Sequence, residues 1–198
     1  AISIHPSKRM PLDICLEDLE KGERHIADLI APALRNDLKY FQQEKVKRWF
    51  WVNEKGLWIS STDANEYLIT KTIQDLIEEE KTRTWDKFKA ETNEDIKKKL
   101  SNDEDQLRKH YSKVGKGSYT KQLSKFLAVL LADRQFPDRL DRTKGLFIFA
   151  DGILNLRTGD FRKGFKSEDF LSEPAKPLTN YRSLAYDEEK AKYLRGQL

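Results

Sequence analysis

The stretch Leu146–Phe161, LFIFADGILNLRTGDF, decides how the second half of the chain is read. Leu146, Phe147, Ile148 and Phe149 make an apolar run of strand length. Asp151-Gly152 is a turn dipeptide, and Ile153, Leu154 and Leu156 form a second short strand. Arg157-Thr158-Gly159-Asp160 then closes as a tight turn, in which Gly159 can take a positive φ without a Cβ clash. The pattern predicts a small β-meander on a mostly helical domain. It holds no nucleophile, metal cage or phosphate loop.

Upstream of the meander the period is helical. Leu123, Phe126, Leu127, Leu130 and Leu131 make a buried face over Ser118 to Asp133, and Phe136-Pro137 should end that helix. Thr92-Asn93 starts another, with Ile96, Leu100 and Leu107 apolar. A long helix after Ser61-Thr62-Asp63 carries a stripe of Tyr67, Leu68, Thr70, Ile73, Leu76 and Ile77 that can continue to Trp85 and Phe88. Before it the period drops to two: KRWFWVNEKGLWIS reads as an aromatic hairpin around the loop Asn53-Glu54-Lys55-Gly56. His25, Ile26, Leu29, Ile30, Leu34 and Leu38 return to helical spacing, with Pro32 expected to kink or restart the helix. Asp13 is the candidate N-cap of a short helix ending at Glu20. Downstream, a short helix is expected near Ser167–Leu171, and Asp187–Leu198 looks helical. The fold class is α+β: a predominantly helical body with two small β-elements, at about 39–60 and 146–162. Residues 1–12 read as an arm or linker, 13–186 as the domain, and 187–198 as the start of a connection onward.

The 198 residues are 35% charged and 38% hydrophobic, with a net charge of +4. A mildly basic balance permits nucleic-acid contact without demanding it. The lone cysteine, Cys15, precludes an intramolecular disulfide and fits a reducing, intracellular setting. It sits amid apolar residues and is expected to be packed. No apolar run approaches the ~20 residues of a membrane helix, so no membrane partner is expected. The chain starts at Ala1 without Met and ends within a helical pattern, so it is expected to be a piece of a longer polypeptide.

The chemical motifs are sparse. Gly115-Lys116-Gly117-Ser118 fails as a P-loop: His110 stands where a glycine is needed, and Gly117 separates Lys116 from Ser118. It reads instead as a link between helices with Ser118 as N-cap. His5, Cys15, His25 and His110 share no zinc-type spacing. Asn102-Asp103-Glu104-Asp105 reads as a solvated acidic face rather than a two-carboxylate metal site. No serine or histidine stands in a nucleophilic context. Catalytic and metal-binding residues are therefore expected to be none. The binding candidate is the stretch Gln106–Phe126, which has no acidic residue and carries Arg108, Lys109, Lys113, Lys116, Lys121 and Lys125, interleaved with Tyr111 and Tyr119. Such cations could reach phosphates, and Tyr119 could stack on a base. A solvated helix face with counter-charges on a neighbouring helix explains them about equally well. The Trp49/Trp51/Trp58 hairpin could also stack bases, but its rings are better read as core.

LFIFADGILNLRTGDFRKGFKSEDFLS resembles the signature of the domain that precedes the ATPase in poxvirus-type primase–helicases. These belong to the superfamily 3 helicases of large DNA viruses, phages and plasmids. That signature has an apolar strand, an Asn-Gly turn, a strand of the apolar-Leu-Asp-Leu type, then Arg/Lys-Thr-Gly. Asp151 stands here where Asn is usual, and Asn155 where Asp is usual; the swap keeps the local turn chemistry. WFWVNEKGLW is similar to the family's aromatic hairpin, and Tyr186-Asp187 resembles the join to the motor. The resemblance spans about residues 24–195. It implies a non-catalytic collar or adaptor in a viral or mobile-element DNA-replication primase–helicase, helping to engage DNA and assemble the ring. Implied partners are single-stranded or forked DNA, other copies through the parent ring, and a primase domain in cis. No cofactor is implied for this piece; ATP and Mg would serve the downstream ATPase of a parent DNA helicase with primase activity, in the host cytoplasm or at a viral replication site. The alternatives are a template-recognition helix bundle assisting a primase-polymerase in cis, and a structural spacer without nucleic-acid contact.

Overall fold

The computed structural model describes residues 12–142 and 144–173. In chain order these form α1 (Leu16–Glu20), α2 (Glu23–Leu34), β1 (Leu38–Gln43), β2 (Val46–Val52), β3 (Trp58–Ser61), α3 (Glu66–Ala90), α4 (Glu94–Val114), α5 (Gly117–Leu130), α6 (Phe136–Arg139), β4 (Leu146–Ile148), β5 (Gly152–Asn155) and β6 (Phe161–Lys163). A single 3-10 turn follows at Ser167–Asp169. The strands make two three-stranded sheets, ordered β1-β2-β3 and β4-β5-β6. The expected α+β class is what forms. Residues 1–11 of the arm, the Tyr186-Asp187 join and the C-terminal segment at 187–198 lie outside the described residues.

The chain divides into two compact units. One comprises the described residues up to Phe50 together with Ser61–Arg134; the other comprises Trp51–Ser60 and the described residues from Gln135 on.

The first unit is helical. Asn93 caps α4 through its side-chain oxygen, which accepts from the amides of Asp95 and Ile96, and Asn65 caps α3 by accepting from Leu68. The buried stripes are Ile26, Ile30 and Leu34 on α2, Ile69, Ile73 and Ile77 on α3, and Leu123 and Leu127 on α5. The α3 stripe stops earlier than its periodicity predicts. Trp85 is 47% exposed, and its ring stacks on Phe88 at 5.2 Å and 9°. Phe88 lines a groove with Glu94, Lys97 and Ser101 of α4, and the two rings shield each other without either being buried.

Three local expectations shift. Pro32 does not restart α2; it lies in the last turn, and the helix runs on to Leu34. Asp13 does not cap α1 but pairs with Arg83. The N-cap is Cys15, in a capping box whose return arm is Asp18: the Cys15 backbone N–H donates to Asp18 Oδ2 at 3.2 Å. Cys15 is thus exposed rather than packed. Its thiol also donates to Asp18 Oδ2, at 3.0 Å, and that bond, with burial next, raises the thiol pKa and keeps it protonated.

His25 Nε2 lies 2.9 Å from Asp18 Oδ1, and Lys21 Nζ lies 3.2 Å from the same oxygen. The Cys15 thiol first, then His25, hold the Asp18 carboxyl well below the usual carboxylate range. A depressed folded-state pKa contributes stability that is full above the unfolded value of about 4 and fades as pH falls through the folded value. Asp18→Ala is therefore expected to cost about 1–2 kcal/mol at neutral pH, from a lost cap and unpaired donors. Urea unfolding from pH 7 to pH 2 should show that difference shrinking below about pH 4.

The second unit is built on the meander. β4 pairs antiparallel with β5 (Phe147 opposite Leu154), and β5 with β6 (Leu154 opposite Phe161). Ile148, Ile153 and Leu171 form its buried centre, with Leu57, Leu146 and Phe165 packed around them. Asn155 Oδ1 accepts from the amides of Arg157 and Thr158, and Gly159 takes φ +75°, as the tight turn requires. Asn155 therefore serves the turn in the way the Asp usual at that position would. The aromatic hairpin loop closes in the same manner: Asn53 Oδ1 accepts from the amides of Lys55 and Leu57. Trp58 then pairs as an isolated parallel bridge with Ser172. Its amide donates to the Leu171 carbonyl, and its own carbonyl accepts from the Glu173 amide, each at 2.8 Å. Phe136-Pro137 starts the short α6 instead of merely ending α5, since proline is tolerated at the first turn of a helix.

Candidate nucleic-acid interface

The acid-free stretch Gln106–Phe126 falls on the second half of α4, the two-residue connection Gly115-Lys116 and most of α5. Leu107 and Val114 set the buried side of α4, which turns Lys109 and Ser112 outward. On α5 the buried stripe of Tyr119, Thr120, Leu123 and Leu127 leaves Ser118, Lys121, Gln122, Lys125 and Val129 on the opposite, exposed face. Lys121 and Lys125, four apart, are neighbours on that face.

The seven predicted site residues separate into three groups. Arg108 is exposed, but its guanidinium donates to Glu104 Oε1 at 2.8 Å, one helical turn back. Lys113 lies 3.6 Å from Glu23 Oε1 and 5.1 Å from the centre of the Tyr119 ring. These two cations have the counter-charges that a solvated face would supply. Lys109, Lys116, Lys121 and Lys125 are exposed and have no ion-pair partner among the described residues.

Tyr119 is the correction within this set. It is only 6% exposed, and burial pushes its hydroxyl up to about 12. A ring held in the α5 packing stripe cannot also stack on a base; its place is beneath Lys113, as the π-face of a cation–π contact. Burial first, then the nearby positive Lys113, lowers the pKa of His110, against a smaller opposing effect of Glu20.

The connection between the helices adds a feature that the sequence hides. Ser118 does not cap α5: Lys116 occupies the N-cap position, no side chain caps it, and the first turn holds no acidic residue. Neither Gly115 nor Gly117 has a positive φ, and a Cβ on Gly117 would meet nothing within 4 Å. The N-cap residue supplies no side-chain cap to this 14-residue helix, and the Tyr119 amide donates to the Lys116 carbonyl at 3.0 Å. That end of a helix favours negative charge. The signal that could have found it is the absence of any acid between Gln106 and Phe126.

The other candidates resolve simply. Trp49 and Trp58 are buried in their units, as core rings. Glu104 is occupied by Arg108, and Asp105 lines a shallow groove with Lys97 and Lys98. Among the described residues, no group of three or more His, Cys, Asp or Glu is placed to hold a metal ion. No helix of the described residues is long and apolar enough to cross a membrane.

No curated protein matches the chain. A family profile described as "D5 N terminal like" matches residues 26–192, which covers both compact units. The chain belongs to this family, the N-terminal domain of D5-type primase–helicases of large DNA viruses and phages.

Proposed function

We propose that this domain engages DNA through the exposed cations of α4 and α5 and contributes to ring assembly beside the ATPase of a D5-type primase–helicase. The observation that supports it most is the set of four exposed lysines, Lys109, Lys116, Lys121 and Lys125, without ion-pair partners among the described residues, in a stretch free of acids. The uncapped start of α5 adds amide donors beside Lys116. Family membership supplies the replication setting. In that setting the partners are single-stranded or forked DNA, further copies of the parent protein and a primase domain in cis, while ATP and Mg serve the downstream domain. The domain itself performs no chemistry; it binds and positions.

The test is a salt titration of binding to a labelled DNA fork. The wild-type chain should bind at low salt and weaken steeply as salt rises, because each lysine on a phosphate releases a counterion. Replacing Lys109, Lys116, Lys121 and Lys125 together by glutamine should reduce the log–log salt slope by about 3 and the affinity at ~0.1 M salt by at least about tenfold. Absence of wild-type binding at low salt would remove DNA engagement from the reading. For ring assembly, the measurement is the particle size of the parent protein with and without residues 13–186. An unchanged ring after that deletion would remove the assembly role.

A further inference from the structure

The β1–β2 hairpin is another place, among the described residues, where exposed positive charge stands without ion pairs. Gln42 through Arg48 are all exposed, on both strands and both faces. Immediately behind them Trp49 and Phe50 are buried on opposite faces of β2, and the Trp49 ring packs on Tyr40 at 4.8 Å. The hairpin is thus anchored by its aromatic base while its end projects into solvent. Strand alternation puts Lys47 on the Trp49 face and Arg48 on the Phe50 face; Lys45 sits in the two-residue turn. None of Lys45, Lys47 or Arg48 has an ion pair among the described residues. The only acid in the hairpin is Glu44, held at φ +52°, a conformation unfavourable for a side chain other than glycine or asparagine.

We infer that the β1–β2 hairpin is a second DNA-binding element, inserted between the phosphate walls of duplex DNA, with Lys45, Lys47 and Arg48 as its contacts. This rests on the DNA engagement proposed above but uses none of the α4–α5 lysines. The free end is about three residues per strand, or roughly 10 Å, and a two-stranded ribbon of that reach fits the major groove. Cations on opposite faces match two walls of phosphate. A single strand would present one backbone and would call for stacking rings, and residues 42–48 contain no aromatic. The duplex arm of a fork is the substrate this chemistry fits.

The experiment compares a duplex and a single strand of equal length, by anisotropy across salt, for the wild-type chain, for K45Q/K47Q/R48Q, and for the α4–α5 glutamine variant. The hairpin variant should lose at least about tenfold in duplex affinity at ~0.1 M salt, and roughly 2–3 in log–log slope, while single-strand binding changes little. Unchanged duplex binding by this variant, with the wild type still binding, overturns the hairpin and leaves the α4–α5 reading standing. An equal loss on both probes overturns the duplex assignment. If only the hairpin variant loses binding, the α4–α5 surface falls and the hairpin stands; if the wild type binds neither probe, both fall. Should the triple variant fail to fold, Glu44→Gly keeps the test open. It removes the only acid and suits φ +52°. It should tighten duplex binding severalfold, and unchanged or weaker binding overturns the inference.

Discussion

Trp58→Ala is expected to lower the unfolding free energy by about 3–5 kcal/mol, the range for removing a large buried aromatic. Trp58 is 2% exposed. Its ring meets Phe136 edge-on at 4.6 Å, and its Nε1 donates to the Ser167 carbonyl at 2.9 Å. Alanine would leave a ring-sized cavity and take one of two donors from the Ser167 carbonyl, which keeps the Phe170 amide at 3.2 Å. Phe136 also faces Phe170, and Arg139 lies over both of those rings at 5.6 and 5.3 Å, so the cavity opens the middle of an aromatic cluster. The backbone bridge of Trp58 to Leu171 and Glu173 would lose its anchor with the ring. Urea unfolding measures the loss. Limited proteolysis should show new cleavage between Gly145 and Glu173 before any within α2–α5. Trp58→Phe separates the two causes: it keeps most of the ring and loses the hydrogen bond, and should cost about 1–3 kcal/mol. A stability change below about 1 kcal/mol for Trp58→Ala would mean that this ring does not hold the second unit together.

Gly152→Ala should cost about 3 kcal/mol or more, an unusually large effect for one added methyl. An ideal Cβ on Gly152 would stand 2.2 Å from the Arg162 carbonyl oxygen and 3.0 Å from the Lys163 Cα. Those are backbone atoms of β6, the strand that Gly152 pairs with, so no side-chain movement relieves the clash. The Phe161 ring also lies over the glycine, with its tip 2.7 Å from the same point. The β5–β6 ladder must open or the ring must leave. Gly152 has no positive φ, so the requirement is close approach of two backbones and not turn conformation. Asp151→Asn, which restores the residue more usual in the family signature, is the matched control and should change stability by less than about 0.5 kcal/mol. Thermal melts of the two variants side by side test the distinction. A near-neutral Gly152→Ala would show that the meander can relax around a methyl group.

The close approach at Gly152 is a packing demand carried by the signature itself. Its parts answer local demands: Asn155 organises the turn by accepting two amides, and Gly159 supplies a left-handed φ. The Asp151-Gly152 pair read as turn chemistry, and the structure gives the glycine a different reason. The proposed DNA contacts lie instead on the cations of α4, α5 and the β1–β2 hairpin.

What the sequence determined by itself was local. Apolar spacing marked α2, α3, α4, α5, the aromatic hairpin and the meander, because the stripe of a helix and the alternation of a strand are written within ten or twenty residues. The acid-free run from Gln106 to Phe126 was visible for the same reason, and the order of weak motifs was enough to suggest the family. The tertiary structure decided everything that depends on residues far apart in the chain. It joined Trp58 to Ser172 in one unit, buried Tyr119 while leaving Trp85 outside, and gave Arg108 and Lys113 their acids while leaving four lysines without one among the described residues. It also left the hairpin end, with Lys45, Lys47 and Arg48, exposed. Periodicity says which side of an element is apolar. Whether a partner element covers that side, or an acid answers a given lysine, is set by packing between segments whose separation in sequence carries no signal.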